Sequence, residues 1–118
     1  MYKQKLKSGL IVTHNHPTNI SFSRTDILAI KRASLNEIRA VTKDYLYSAR
    51  FIKSINMDVG FLNELILDID HWVRLDFNSL IRNGKLTMSL ASTKHWHEVW
   101  TRLCSKTDWF SYERTKRG

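Results

Sequence analysis

The stretch Thr13-His14-Asn15-His16-Pro17, followed by Phe22-Ser23-Arg24-Thr25-Asp26, holds the residue types and spacing best suited to chemistry in this chain. Imidazole and carboxylate are ligands that zinc accepts, and a catalytic zinc site needs three of them plus a water. In a β-strand His14 and His16 point to the same face, so both rings can reach one ion. Asp26, in a first helical turn opened by Ser23, would supply the third ligand. Zinc held this way lowers the pKa of its bound water to about 7, which is hydrolytic chemistry. The same residues also suit a purely structural role, as a strand-to-loop turn followed by a capped helix.

A second His-x-His, His95-Trp96-His97-Glu98, sits in a helical pattern. There the two rings stand about 200° apart and do not share one ion. One of them can instead approach the first pair in space and form an acid–base arrangement. Metal-independent ribonucleases need such a pair: one histidine removes the 2′-hydroxyl proton and the other protonates the leaving oxygen. A cation then steadies the charge growing on the phosphate. Arg24, Lys31, Arg32, Arg39, Lys43, Arg50 and Lys53 are candidates, and Tyr112-x-Arg114 is a further phosphate clamp. Trp72, Trp96 and Trp100 fall at helical spacing and read as core, whereas Trp109, Phe110 and Tyr112 are better placed to stack on bases. Asp68, Asp70, His71 and Asp76 spread around a helix and read as a solvated face.

His14-x-His16-Pro17 with Ser23-x-x-Asp26 resembles the signature of the JAMM (JAB/MPN) zinc hydrolases, in the form found in phage and bacterial-toxin proteins. The resemblance implies zinc on His14, His16 and Asp26. It also implies that Ser23 hydrogen-bonds the tetrahedral intermediate and that Pro17 fixes the exit from the strand. Two departures are visible. Six residues separate His16 from Ser23 where the family has seven, and the thirteen residues before His14 contain no Glu or Asp to match the family's upstream general base. Either Glu37, Glu64 or Glu98 replaces that base, a second chain supplies it, or the family's reaction is absent.

These residues need elements to position them. The β-branched run at 10–13 reads as a buried strand. Ser23 is a good N-cap, and Ser-x-x-Asp is a capping-box variant, so a helix follows over 24–33. Alternation over 37–42 and 45–51 around Lys43-Asp44 suggests a β-hairpin, with a helix left open by the Ala, Lys and Arg content. Apolar residues at spacings of three and four predict a long helix over 57–81, closed by Asn83-Gly84. Residues 86–90 read as a short strand or linker, and Ser92 or Thr93 as the cap of a last helix through Cys104. Residues 109–112 suit a final strand, and 115–118 a frayed basic end. The expected fold is α+β: a small antiparallel or mixed sheet packed against about three helices, in one domain spanning 1–118.

The chain has 118 residues, 42% of them hydrophobic, and a formal net charge of +8. That balance favours contact with phosphates or acidic proteins. A single cysteine, Cys104, excludes an intramolecular disulfide and a Cys-rich zinc site. No apolar run approaches the ~20 residues of a membrane span. The start lacks the apolar core of a secretory signal, so no membrane partner and a cytoplasmic location, in a producing or target cell, are expected. The leading expectation is a small basic hydrolase of phage or toxin character with a JAMM-like site, cleaving isopeptide or peptide bonds with zinc. The alternatives are a metal-independent nuclease acting on RNA or DNA through His14 or His16 with His95 or His97, and a non-catalytic module that binds nucleic acid or an acidic host protein. Oligomeric state is left open.

Overall fold

The two alternating segments form the centre of a sheet. In the computed structural model of the protein, β3 (Glu37–Val41) and β4 (Tyr45–Phe51) pair antiparallel, with Ile38, Ala40, Tyr47 and Ala49 buried and Arg39, Leu46 and Arg50 exposed. The structure describes residues 2–4, 11–16, 18–32, 37–52 and 58–118, with 2–4 and 11–14 as backbone alone. Leu10, Pro17, Ala33, Lys53 and Met57, which figure in the expectations above, lie outside the described residues, as does the side chain of His14.

Among the described residues the sheet has five strands in the order β1-β2-β3-β4-β5. β1 (Tyr2–Gln4), which the basic N-terminal pattern did not suggest, pairs antiparallel with β2 (Ile11–Asn15). β2 runs parallel to β3, and α1 (Arg24–Arg32) lies between them in the chain, as a parallel pair requires a crossover. β5 (Phe110–Lys116) closes the far edge against β4. The chain between β4 and β5 forms α2 (Val59–Arg82) and α3 (Met88–Lys106). The fold is α+β, as expected, with a mixed sheet and three helices among the described residues.

The core lies between one sheet face and the helices. Ile27 and Ile30 of α1, Leu62, Ile66 and Val73 of α2, and Val99, Trp100 and Leu103 of α3 pack with Ile38, Tyr47, Ala49 and Phe110. Trp100 is fully buried, and its indole N–H donates to the Phe22 carbonyl at 2.8 Å, which fastens α3 to the segment entering α1.

Several elements differ from their sequence reading. Residues 88–90 are helical. Thr87 is the N-cap of α3, in extended backbone conformation, and its hydroxyl accepts the Leu90 N–H at 3.1 Å. A hydroxyl on an extended residue satisfies a helix donor left without an intrahelical partner, and that outweighs the short apolar run read as a strand. Thr87→Ala should therefore lower stability by about 1 kcal/mol, checked by urea denaturation. The expected end of α2 is confirmed. Gly84 has φ +70°, the left-handed conformation, and Lys85 N–H reaches back to the Leu80 carbonyl at 2.9 Å.

Trp72, read as core, is largely exposed, because Leu62, Ile66, Ile69 and Val73 form the inward face of α2. Asp70, read as solvated, is buried against α3. The segment read as a frayed end continues β5 through Lys116, and beyond it the Arg117 N–H donates to the Asp44 carbonyl at 2.8 Å. Among the described residues no helix is long and apolar enough to cross a membrane.

Candidate functional site

The first motif falls at the end of β2. His14 is in register with Ala40, which pairs with Tyr47, which in turn pairs with Arg114, so one rung crosses four strands. His16 follows the strand: its N–H donates to the Val41 carbonyl at 2.9 Å and its Nδ1 lies 2.8 Å from the Ile20 carbonyl. A carbonyl only accepts, so Nδ1 carries the proton and the lone pair of the neutral ring is on Nε2. That orientation suits a metal ligand or a base equally.

Ser23 and Asp26 form a reciprocal capping box on α1. The Ser23 N–H donates to Asp26 Oδ2 at 3.0 Å, and the Asp26 N–H donates to Ser23 Oγ at 3.2 Å. Both residues therefore have a role in starting the helix. Among the described residues no three His, Cys, Asp or Glu side chains gather to hold a metal. His16 Nδ1 is engaged by the Ile20 carbonyl and one Asp26 oxygen is engaged at the cap; these two residues are only part of the expected ligand set. Of the acids considered as a replacement base, Glu37 accepts from Arg39 and Ser48, Glu98 pairs with Arg102, and Glu64 is exposed on α2.

A different set of groups converges where α3 crosses β4 and β5. Alternation along β5 brings Phe110, Tyr112 and Arg114 opposite Phe51, Ala49 and Tyr47. His97 of α3 places Nδ1 2.8 Å from the Tyr112 hydroxyl, which lies 2.8 Å from Ser21 Oγ. Tyr47 stacks on Tyr112 with ring centroids 6.3 Å apart and donates its hydroxyl to the Asn19 carbonyl at 2.8 Å. The Arg114 guanidinium lies over the Tyr45 ring, 4.4 Å from its centroid. Phe22 joins the two halves: its ring is 6.5 Å from that of His16 and 6.3 Å from those of Tyr47 and Tyr112. Asn19 fixes the connecting loop by bonding Asp44 twice, at 2.7 and 3.1 Å.

The electrostatics follow from this packing. Burial pushes the His97 pKa below its usual 6.5, and the Arg114 and Lys94 charges add to the effect against an opposing contribution from Glu98. At neutral pH His97 is therefore uncharged and able to accept a proton. Burial raises both Tyr47 and Tyr112, with Arg114 pulling the other way, so both phenols remain protonated.

The other expected residues lie apart from this cluster. His95 Nε2 bonds Asp70, which also pairs with Arg74, so this histidine clips α3 to α2. Arg24 bonds Asn63, and Arg39 lies on the exposed sheet face beside Glu37. Arg32 is exposed and Lys31 half-buried, both at the last turn of α1. Trp109 stacks on Phe51. Sequence reasoning did not find Ser21, Asn19 or Tyr47. The available signal was Tyr45-x-Tyr47 in an alternating strand, which becomes informative only once its register with Tyr112-x-Arg114 is known. No protein-family model, no curated protein and no solved structure matches this chain.

Proposed function

We propose that the protein is a metal-independent ribonuclease. The observation that carries this reading is the His97–Tyr112–Ser21 hydrogen-bonded chain, with Arg114 beside it and His16 across Phe22. A base, an acid and a cation suffice to transfer a phosphoryl group onto a neighbouring 2′-hydroxyl, because the nucleophile is already held at the phosphate. His97 donates Nδ1–H to Tyr112, and Tyr112 donates onward to Ser21, which leaves the His97 lone pair on Nε2. That nitrogen takes the 2′-hydroxyl proton as the 2′-oxygen attacks phosphorus. Protonated His16 keeps Nδ1–H on Ile20 and delivers Nε2–H to the departing 5′-oxygen. The phosphorus–O5′ bond breaks, and the products are a 2′,3′-cyclic phosphate and a 5′-hydroxyl. Arg114 pairs with the phosphate oxygens as charge develops.

Single-stranded RNA incubated with excess EDTA tests the proposal. Cleavage should persist and should not increase when zinc is restored. Cleavage that requires zinc would favour the JAMM-like reading with His14, His16 and Asp26 as ligands. Salt-dependent RNA binding without cleavage would favour a non-catalytic module. Arg114 is exposed, so its charge is partly screened and Arg114→Ala should reduce kcat/KM by about tenfold, while loss of its contact with the Tyr45 ring should cost no more than about 1 kcal/mol of stability.

A further inference from the structure

The long helix α2 carries a second, largely apolar seam, of which Leu65 packs partly against the core while Phe61, Trp72 and Leu75 face outward. Phe61, Leu65, Asp68, Trp72, Leu75 and Ser79 follow one another at steps of four, three, four, three and four residues, the spacing that one helix presents to another. The inward residues Leu62, Ile66, Ile69 and Val73 form a separate stripe that the core already buries. On the outer seam, Phe61 is 60% exposed, Trp72 58% and Leu75 44%. Scattered exposed apolar residues are ordinary, but Phe61, Trp72 and Leu75 fall on one helical line about 21 Å long, interrupted by Asp68, which suits an interaction surface.

The charge of this seam is opposite to that of the chain. Of the two hollows beside it, which share Leu65 and Asp68, the first is lined by Asp58, Glu64 and Asp68 with no cation among the described residues. The second is lined by Asp68 and Asp76 with Arg102 and Lys106 of α3, on a chain of net charge +8. Asp76 is paired with Arg102, whereas Asp58, Glu64 and Asp68 have no ion-pair partner among the described residues. Asp58, the N-cap residue of α2, makes no side-chain cap bond; its carboxylate lies beside Gly60, 2.8 Å from where a Cβ would stand.

We infer that the outer face of α2 docks a basic amphipathic helix of a partner protein, with a lysine or arginine of that helix facing Asp68. The apolar seam supplies contact area, and the carboxylates select a cationic partner. Asp58, Glu64 and Asp68 outnumber Lys106 on this face, Arg102 being paired with Asp76, and so disfavour nucleic acid. A second copy is disfavoured because Asp68 sits midway between Phe61 and Leu75. Two seams brought together in either direction would oppose Asp68 to Asp68 and bury like charges without partners.

The test uses the whole chain and a synthetic helical peptide with leucines at alternating steps of three and four, a central lysine and lysine flanks. The peptide should bind one-to-one, with backbone amide shifts confined to residues 58–79 and to 102–106 of α3, which line the same hollow. Binding should weaken at least about tenfold, or about 1.4 kcal/mol, for Trp72→Ala, for Asp68→Lys and for a peptide whose central lysine is replaced by glutamate. The protein alone should sediment as a monomer, and Asp68→Leu should make it self-associate. Trp72 and Asp68 are exposed, so both variants should melt as the parent does. No binding, binding unaffected by both variants, shifts centred away from residues 58–79 and 102–106, or a parent dimer that Trp72→Ala dissolves would each overturn the inference.

Discussion

His97→Ala should lower the rate of RNA cleavage by about 10²–10⁴-fold, the usual contribution of a positioned general base. His97 is half-buried, and its ring contacts are Tyr47 and Tyr112, which also stack on each other, so the aromatic cluster survives its loss. Tyr112→Phe keeps the ring and removes only the hydroxyl, and with it the bonds to both His97 and Ser21. It should reduce the rate by a smaller factor, because the His97 tautomer is then no longer fixed. The pH profile supplies a second readout. Catalysis needs neutral His97, and burial with Arg114 lowers its pKa, so the acid limb should lie below pH 6.5. Arg114→Ala removes one of the lowering contributions and should move that limb upward. The same shift makes His97 a stability group: between its folded pKa and 6.5 the unfolded chain binds more protons, so stability falls as pH drops through that window. A His97→Ala variant that retains full activity would leave the aromatic cluster without a catalytic role.

Trp100→Ala should destabilise the fold by about 3–5 kcal/mol, a large share of the 5–15 kcal/mol typical of a native domain. The indole is fully buried, stacks on Trp96 at 5.6 Å, tilts against Phe110 at 6.1 Å, and donates to the Phe22 carbonyl. Alanine therefore leaves both a cavity and a carbonyl that has lost its donor. Trp100→Phe preserves most of the volume and should cost about 1–3 kcal/mol, chiefly from the orphaned carbonyl. Urea denaturation measures both values. Because Phe22 sits between His16 and Tyr112, Trp100→Phe should also slow cleavage at temperatures where the protein remains folded. A change below about 1 kcal/mol for Trp100→Ala would mean that α3 is not docked as described.

The sequence makes α1, the β3–β4 hairpin and α2 legible because each is set by local rules. The Ser23 cap, the alternation about Lys43-Asp44 and the left-handed Gly84 need no knowledge of the rest of the chain. What it does not reveal depends on distant partners. Trp72 and Val73 are both apolar and adjacent in α2, yet the core takes only Val73. His95 and His97 differ in helical phase alone, and it is the packing of α3 that turns one to Asp70 and the other to Tyr112. Ser21 and Tyr112 are 91 residues apart and meet because β5 returns to the sheet after both long helices. Ser23-x-x-Asp26 shows the opposite difficulty, since one short pattern serves both a helix cap and a hydrolase signature. The structure shows the cap in place.

The central claim is transfer onto a 2′-hydroxyl without metal. The most direct measurement uses a DNA strand containing one ribonucleotide, incubated with the protein in excess EDTA and analysed for its end groups. The expected result is a single cut on the 3′ side of the ribonucleotide, leaving a 2′,3′-cyclic phosphate, with no cut when that residue is 2′-O-methylated or when His97 is alanine. An intact strand, cuts at the deoxynucleotides, or cleavage that returns only when zinc is added would contradict it.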